Sequence, residues 1–171
     1  MLPADPATPV GATPAAPLPS AASQGASATE PLRVLVVEDD KVNQLVVIGM
    51  LRQMAHQADC VADGVEALAA LDKRSYDIVL MDLRMPNMDG IEATQRIRRL
   101  ADPVASIPIV ALTANATTEE RLRCAEAGMN DFISKPFRRA DLKATLEKWR
   151  PPGHGGSAGG PPPRNGPATP R

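Results

Sequence analysis

The chain has 171 residues, 19 basic and 20 acidic, for a net charge of −1. That balance offers no basic face to grip nucleic acid or an anionic membrane. No apolar stretch approaches the roughly 18 residues of a transmembrane helix, and Met1 to Ser20 lacks the charged and apolar regions of a secretory signal.

Residues 1–31 hold seven prolines and nine alanines, and only Asp5 and Glu30 carry charge. Residues 151–171 hold seven prolines and six glycines. Neither end has the apolar surface to offset ordering entropy. Residues 1–31 therefore read as a disordered Pro/Ala-rich tail or linker, and 151–171 as a disordered Gly/Pro-rich tail. Residues 32–150 are long enough for one packed domain. Cys60 and Cys124 fit no metal-ligand spacing and read as reduced cysteines of a cytoplasmic protein.

Within the domain, "RVLVV" at 33–37 predicts a strand buried on both faces. From Asp40, a capping residue, the period becomes helical, with Val42, Leu45, Val46, Gly49 and Met50 on the expected apolar face. A short strand follows at about 58–62. Asp63 and Glu66 open a helix to about Lys73. "DIVLM" at 77–81 is the third strand, ending against Asp82. Pro86 and Asp89-Gly90 mark a turn, and Asp89 with Glu92 caps a helix ending near Leu100. "IPIVALTA" at 107–114 is the fourth strand. Thr117 and Glu120 cap the next helix, and Gly128 stops it. "DFIS" at 131–134 is the fifth strand, and a last helix runs from about Arg139 to Trp149.

The order is (βα)5, an α/β fold with a doubly wound parallel sheet. Sites in such sheets form beyond the carboxyl ends of the strands. Those ends carry Glu38, Asp39 and Asp40 after the first strand and Asp82 after the third. Thr113 ends the fourth, and Lys135 and Pro136 follow the fifth. Clustered carboxylates need a cation, and Mg2+ takes one or two of them together with phosphate oxygens. Glu38, Asp39 and Asp82 against Mg2+ and Lys135 balance to zero. Asp82, an aspartate fixed by a buried strand, is the candidate nucleophile for a phosphoryl group. His56 and His154 have no partner at ligand spacing.

These motifs, "VLVVEDD", "DIVLMDLRMPNMDG", "ALTA" and "SKPF", resemble the response-regulator receiver domain of two-component phosphorelays over residues 33–149. "EDDKVNQ", "ALTANA" and "GMNDFISKPF" are most similar to receivers of hybrid sensor histidine kinases. The resemblance implies a flavodoxin-like strand order 2-1-3-4-5 and a receiver domain over 32–150. It implies Asp82 as phosphoacceptor and Asp39 as direct Mg2+ ligand, with Glu38 acting mainly through water. The backbone carbonyl of Arg84 would be a further ligand. Thr113 and Lys135 would meet phosphoryl oxygens, and the Lys135-Pro136 bond would be cis. Phe132 occupies the aromatic switch position but lacks a hydroxyl to hold either of its states.

The implied partners are a histidine kinase or histidine phosphotransfer protein, with no nucleic acid and no membrane. The implied output is the surface of the fourth helix, fifth strand and fifth helix. The alternative is a degenerate receiver that binds protein without phosphorylation. An aspartate-nucleophile phosphatase would want an acid where Arg84 stands, and a flavin-binding relative would want a hydroxyl-rich loop in place of "EDDKVN". No kinase or output module is found. The opening Met1 favours a stand-alone receiver, whereas the likeness to hybrid kinases favours a piece of one.

Overall fold

The computed structural model describes residues 30–152. The expected tails, 1–31 and 151–171, lie outside the described residues except for two residues at each inner edge.

Five strands and five helices alternate. They are β1 (Arg33–Val37), α1 (Lys41–Gln53), β2 (Gln57–Val61), α2 (Gly64–Lys73), β3 (Ile78–Asp82), α3 (Gly90–Arg98), β4 (Ile109–Thr113), α4 (Thr118–Ala127), β5 (Asp131–Ser134) and α5 (Arg139–Lys148). A short 3-10 turn, Val104–Ser106, precedes β4 and was not expected from the sequence. The sheet is parallel throughout, in the expected order β2-β1-β3-β4-β5.

The central strands bury both faces, and their side chains alternate between two cores. Leu35, Val37, Val79, Met81, Ile109 and Ala111 pack with α2 and α3 through Ala67, Leu71, Ala93 and Ile97. Val34, Val36, Ile78, Leu80, Val110 and Leu112 pack on the other face with Val47 and Leu51 of α1 and Leu142 and Leu146 of α5. Each fully buried Val, Leu, Ile or Met side chain among them contributes about 1.5–3 kcal/mol relative to exposure.

The expected cap side chains at Asp40, Asp63, Asp89 and Thr117 form, but the glutamates three residues after the last three turn elsewhere: Glu66 accepts the Ala62 N–H, Glu92 pairs with Arg96 and Glu120 accepts from Thr113. Asp40 accepts the N–H groups of Val42 and Asn43 at 2.8 and 3.0 Å. Asp63 and Asp89 accept those of Glu66 and Glu92 at 2.9 and 2.8 Å. Gly128 ends α4 with φ +98°, a left-handed conformation that glycine adopts without steric cost. Gly90 is required for a different reason: a Cβ there would collide with the backbone carbonyl of Asp82. The Lys135-Pro136 bond is cis, as expected, and so is Asp102-Pro103.

The apolar face of α1 corrects the sequence reading. Val42, Leu45 and Val46 are 68%, 71% and 48% exposed. The buried residues of α1 are Gln44, Val47 and Leu51. The helix is apolar on two flanks, and the sheet selects the flank offset from the one expected. Gln44 is drawn inward because its amide donates to the Glu38 carbonyl at 2.5 Å.

Candidate functional site

β1 and β3 are neighbours in register, with Val37 opposite Met81, so their next residues, Glu38 and Asp82, emerge side by side. One carboxylate oxygen each from Glu38, Asp39 and Asp82 lies within 4.8 Å of the others. Glu38 is fully buried, Asp82 is 7% exposed, and Asp39 faces solvent. Lys135 reaches this group from beyond β5. Its Nζ lies 2.5 Å from Glu38 Oε2 and 3.1 Å from Asp82 Oδ2. Its backbone N–H donates to the Thr113 carbonyl at 2.7 Å, which ties it to the end of β4.

α1 fixes Glu38 from behind. Asn43 Nδ2 donates to Glu38 Oε1 at 3.2 Å, and the Asp40 N–H donates to the same oxygen at 3.3 Å. The Arg84 N–H donates to Asp82 Oδ1 at 3.3 Å, while the Arg84 side chain is exposed. Asn43 and Gln44 were not singled out in the sequence. Their local signal is their place at the end of the "EDDKVNQ" motif, five and six residues after Glu38.

Burial pushes the Asp82 carboxyl above its ordinary value. The Lys135 charge and hydrogen bond oppose this without cancelling it, and Glu38 adds to the rise. Burial pulls Lys135 down, but its bonds and attraction to Glu38 and Asp82 outweigh this and raise it. The lysine therefore stays a cation, and the acceptor carboxylate is less comfortable than a solvated one.

Three carboxylates face one ammonium, so the group carries excess negative charge. Its donors are all oxygens, the set that suits a hard divalent cation. The Asp39 carboxylate takes no hydrogen bond among the described residues. This donor set fits a hard divalent cation such as Mg2+.

Two of the expected site residues point elsewhere. The Thr113 hydroxyl, 3% exposed, lies 2.5 Å from Glu120 Oε2 on α4, not against Asp82. Phe132 lies beneath the guanidinium of Arg121, 4.1 Å from carbon to ring centroid. The sequence marked Glu120 only as a cap partner and did not mark Arg121.

A doubly wound sheet with acids and a lysine at its carboxyl edge defines the receiver class of α/β protein. This chain belongs to the response regulator receiver domain family, whose model matches residues 34–147. It is a receiver domain of two-component phosphorelay signalling.

Sensor histidine kinase RcsC of Salmonella typhi is 43% identical over 121 residues, covering 71% of this chain and 12% of that protein. Probable histidine kinase 1 of Oryza sativa subsp. indica is 37% identical over 150 residues, covering 70% and 16%. The chain thus spans less than a fifth of the length of these curated relatives.

Among solved structures, the receiver domain of sensor histidine kinase PA1611 from Pseudomonas aeruginosa PAO1 is 44% identical, with a TM-score of 0.65. The match covers 70% of this chain and 97% of that one, and that structure has a magnesium ion coordinated in its active site cleft. The chemotaxis protein CheY4 of Vibrio cholerae is 29% identical, with a TM-score of 0.64, covering 68% and 97%.

Proposed function

We propose that Asp82 accepts a phosphoryl group from a phosphohistidine in a magnesium-dependent reaction. The donor is a histidine kinase or a histidine phosphotransfer protein. One observation carries this reading: a buried aspartate at a strand end, with two more carboxylates and an ammonium gathered around it. An Asp82 oxygen attacks phosphorus and the P–N bond breaks. Its electron pair stays on the imidazole, which takes a proton from solvent. Positioning and charge neutralisation supply most of the catalysis.

Asp39, Asp82 and the Arg84 carbonyl would hold the ion directly, and Glu38 would act through water. When bound, Mg2+ supplies positive charge to the phosphoryl oxygens. Lys135 pairs with one phosphoryl oxygen and the Thr113 hydroxyl donates to another. The product carries about −1.5 to −2 charges, as other phosphorylated side chains do. Thr113 and Phe132 move toward the site, and the α4, β5 and α5 surface changes. The output is a protein contact.

The exposed apolar face of α1 supports a protein donor. Val42, Leu45 and Val46 begin four residues after Glu38, beside the acidic mouth. A helical domain carrying the phosphohistidine can seat there with its imidazole aimed at Asp82. No helix among the described residues is long and apolar enough to cross a membrane. The two free cysteines agree with a reducing cytoplasm.

Incubation with acetyl phosphate or phosphoramidate and Mg2+ tests the reading. Intact mass should rise by one phosphoryl group in the wild type and not in Asp82→Asn. A wild type that gains nothing from either donor would be a degenerate receiver that binds protein without phosphorylation.

A further inference from the structure

Thr113 and Phe132, the two side chains assigned to switching, are both held by α4 through consecutive residues. Thr113 Oγ1 has three polar neighbours: Glu120 Oε2 at 2.5 Å, the Asn115 N–H at 3.0 Å and the Asn115 carbonyl at 3.1 Å. The hydroxyl has one proton to give. The carboxylate is the nearer and stronger acceptor, so the proton goes to Glu120. Arg121 follows in the chain, and its guanidinium stacks over Phe132, whose ring packs partly buried against the core.

The Glu120 carboxylate is not used to cap its own helix. Thr117 Oγ1 takes the Glu120 backbone N–H at 3.2 Å. In a reciprocal capping box the glutamate would return to the cap residue's N–H. Here it reaches across to the end of β4 instead.

We infer that Glu120 and Arg121 form a latch that holds Thr113 and Phe132 in the unphosphorylated arrangement and that phosphorylation of Asp82 must break it. The inference rests on the phosphoacceptor reading of Asp82. The Thr113 proton cannot go to Glu120 and to a phosphoryl oxygen at once. When it turns to the phosphoryl group, Glu120 loses its donor and faces a second anion across the same hydroxyl. The first turn of α4 then shifts outward, and Arg121, on that turn, withdraws from the Phe132 ring. Phe132 thus needs no hydroxyl of its own, because the cation on α4 holds its outer state. Phosphorylation acts only through the difference in interaction between the two arrangements, and the latch sets that difference.

The test uses the full chain, with beryllofluoride and Mg2+ as the phosphoryl mimic, bound fraction by fluorine NMR, and acetyl phosphate labelling rate by intact mass. Glu120→Ala keeps the backbone cap and should tighten beryllofluoride binding about tenfold and speed labelling. Glu120→Gln keeps an acceptor for Thr113 and should move less. Arg121→Gln should tighten binding about two- to fivefold. In a Thr113→Ala background, Glu120→Ala should have no effect, since a latch acts through that hydroxyl and a structural role does not.

Unchanged affinity in Glu120→Ala, or an equal gain without Thr113, overturns the latch while leaving the phosphoacceptor reading standing. Unchanged affinity in Arg121→Gln overturns the Phe132 half. A wild type that takes neither beryllofluoride nor a phosphoryl group overturns both readings together.

Discussion

Among the described residues, Lys135 is the one cation paired with Glu38 and Asp82, and Glu38 is fully buried beneath it. Removing the ammonium leaves a buried carboxylate whose remaining donors among the described residues are Asn43 and the Asp40 N–H. Lys135→Met should therefore cost about 2 kcal/mol of stability, read as a lower urea midpoint, besides abolishing labelling by acetyl phosphate. His56 is a second residue with a definite sign. Its Nδ1 accepts the Leu32 N–H at 3.2 Å, so the neutral ring is the one that fits. Burial first, and the Arg150 charge second, hold its pKa below the ordinary 6.5, while Glu147 pulls the other way. A depressed pKa gives stability that is full above the unfolded value and lost as pH falls through the folded one. The urea midpoint should fall as pH drops below about 6.5, and His56→Gln should flatten that part of the profile.

At the scale of elements, α1 shows how a periodic pattern can mislead. Its sequence, KVNQLVVIGMLRQ, is apolar on more than one flank, so two stripes compete for the core. Val47 and Leu51 win because the sheet lies on their side, and Val42, Leu45 and Val46 remain in water. An exposed apolar helix face beside a reactive site favours an interaction role over a packing one. Leu45→Lys should leave stability nearly unchanged and slow transfer from a phosphohistidine protein. Acetyl phosphate needs no docking face and should label this variant at the wild-type rate. A parallel loss with both donors would remove α1 as the donor's seat.

Across the whole molecule, one sheet holds two cores and a charged edge. The alternation of Leu35 and Val37 against Val34 and Val36 repeats in β3 and β4, so helices on both faces are tied through the same strands. The acids are gathered where these strands end, which concentrates electrostatic repulsion at one place on a well-packed body. A cation bound there favours the folded state by mass action. Millimolar Mg2+ should raise the melting temperature by a few degrees in the wild type and less in Asp39→Ala, followed by differential scanning fluorimetry. An equal rise in both would show that the ion binds elsewhere.

The strand runs, the Asp40, Asp63, Asp89 and Thr117 caps and the Gly128 stop were all legible in the sequence. Each rests on interactions between residues close in the chain, where residue type and spacing carry the information. The acids and lysine at the strand ends were legible too, since a (βα)5 order sends every strand's carboxyl end to one edge. Long-range packing alone decided which flank of α1 is buried. The way neighbouring elements settle against one another decided that Asn43 and Gln44 brace Glu38, and that Glu120 and Arg121 contact Thr113 and Phe132. Those pairings join separate elements. Their geometry depends on how helices settle against the sheet, which no local pattern encodes.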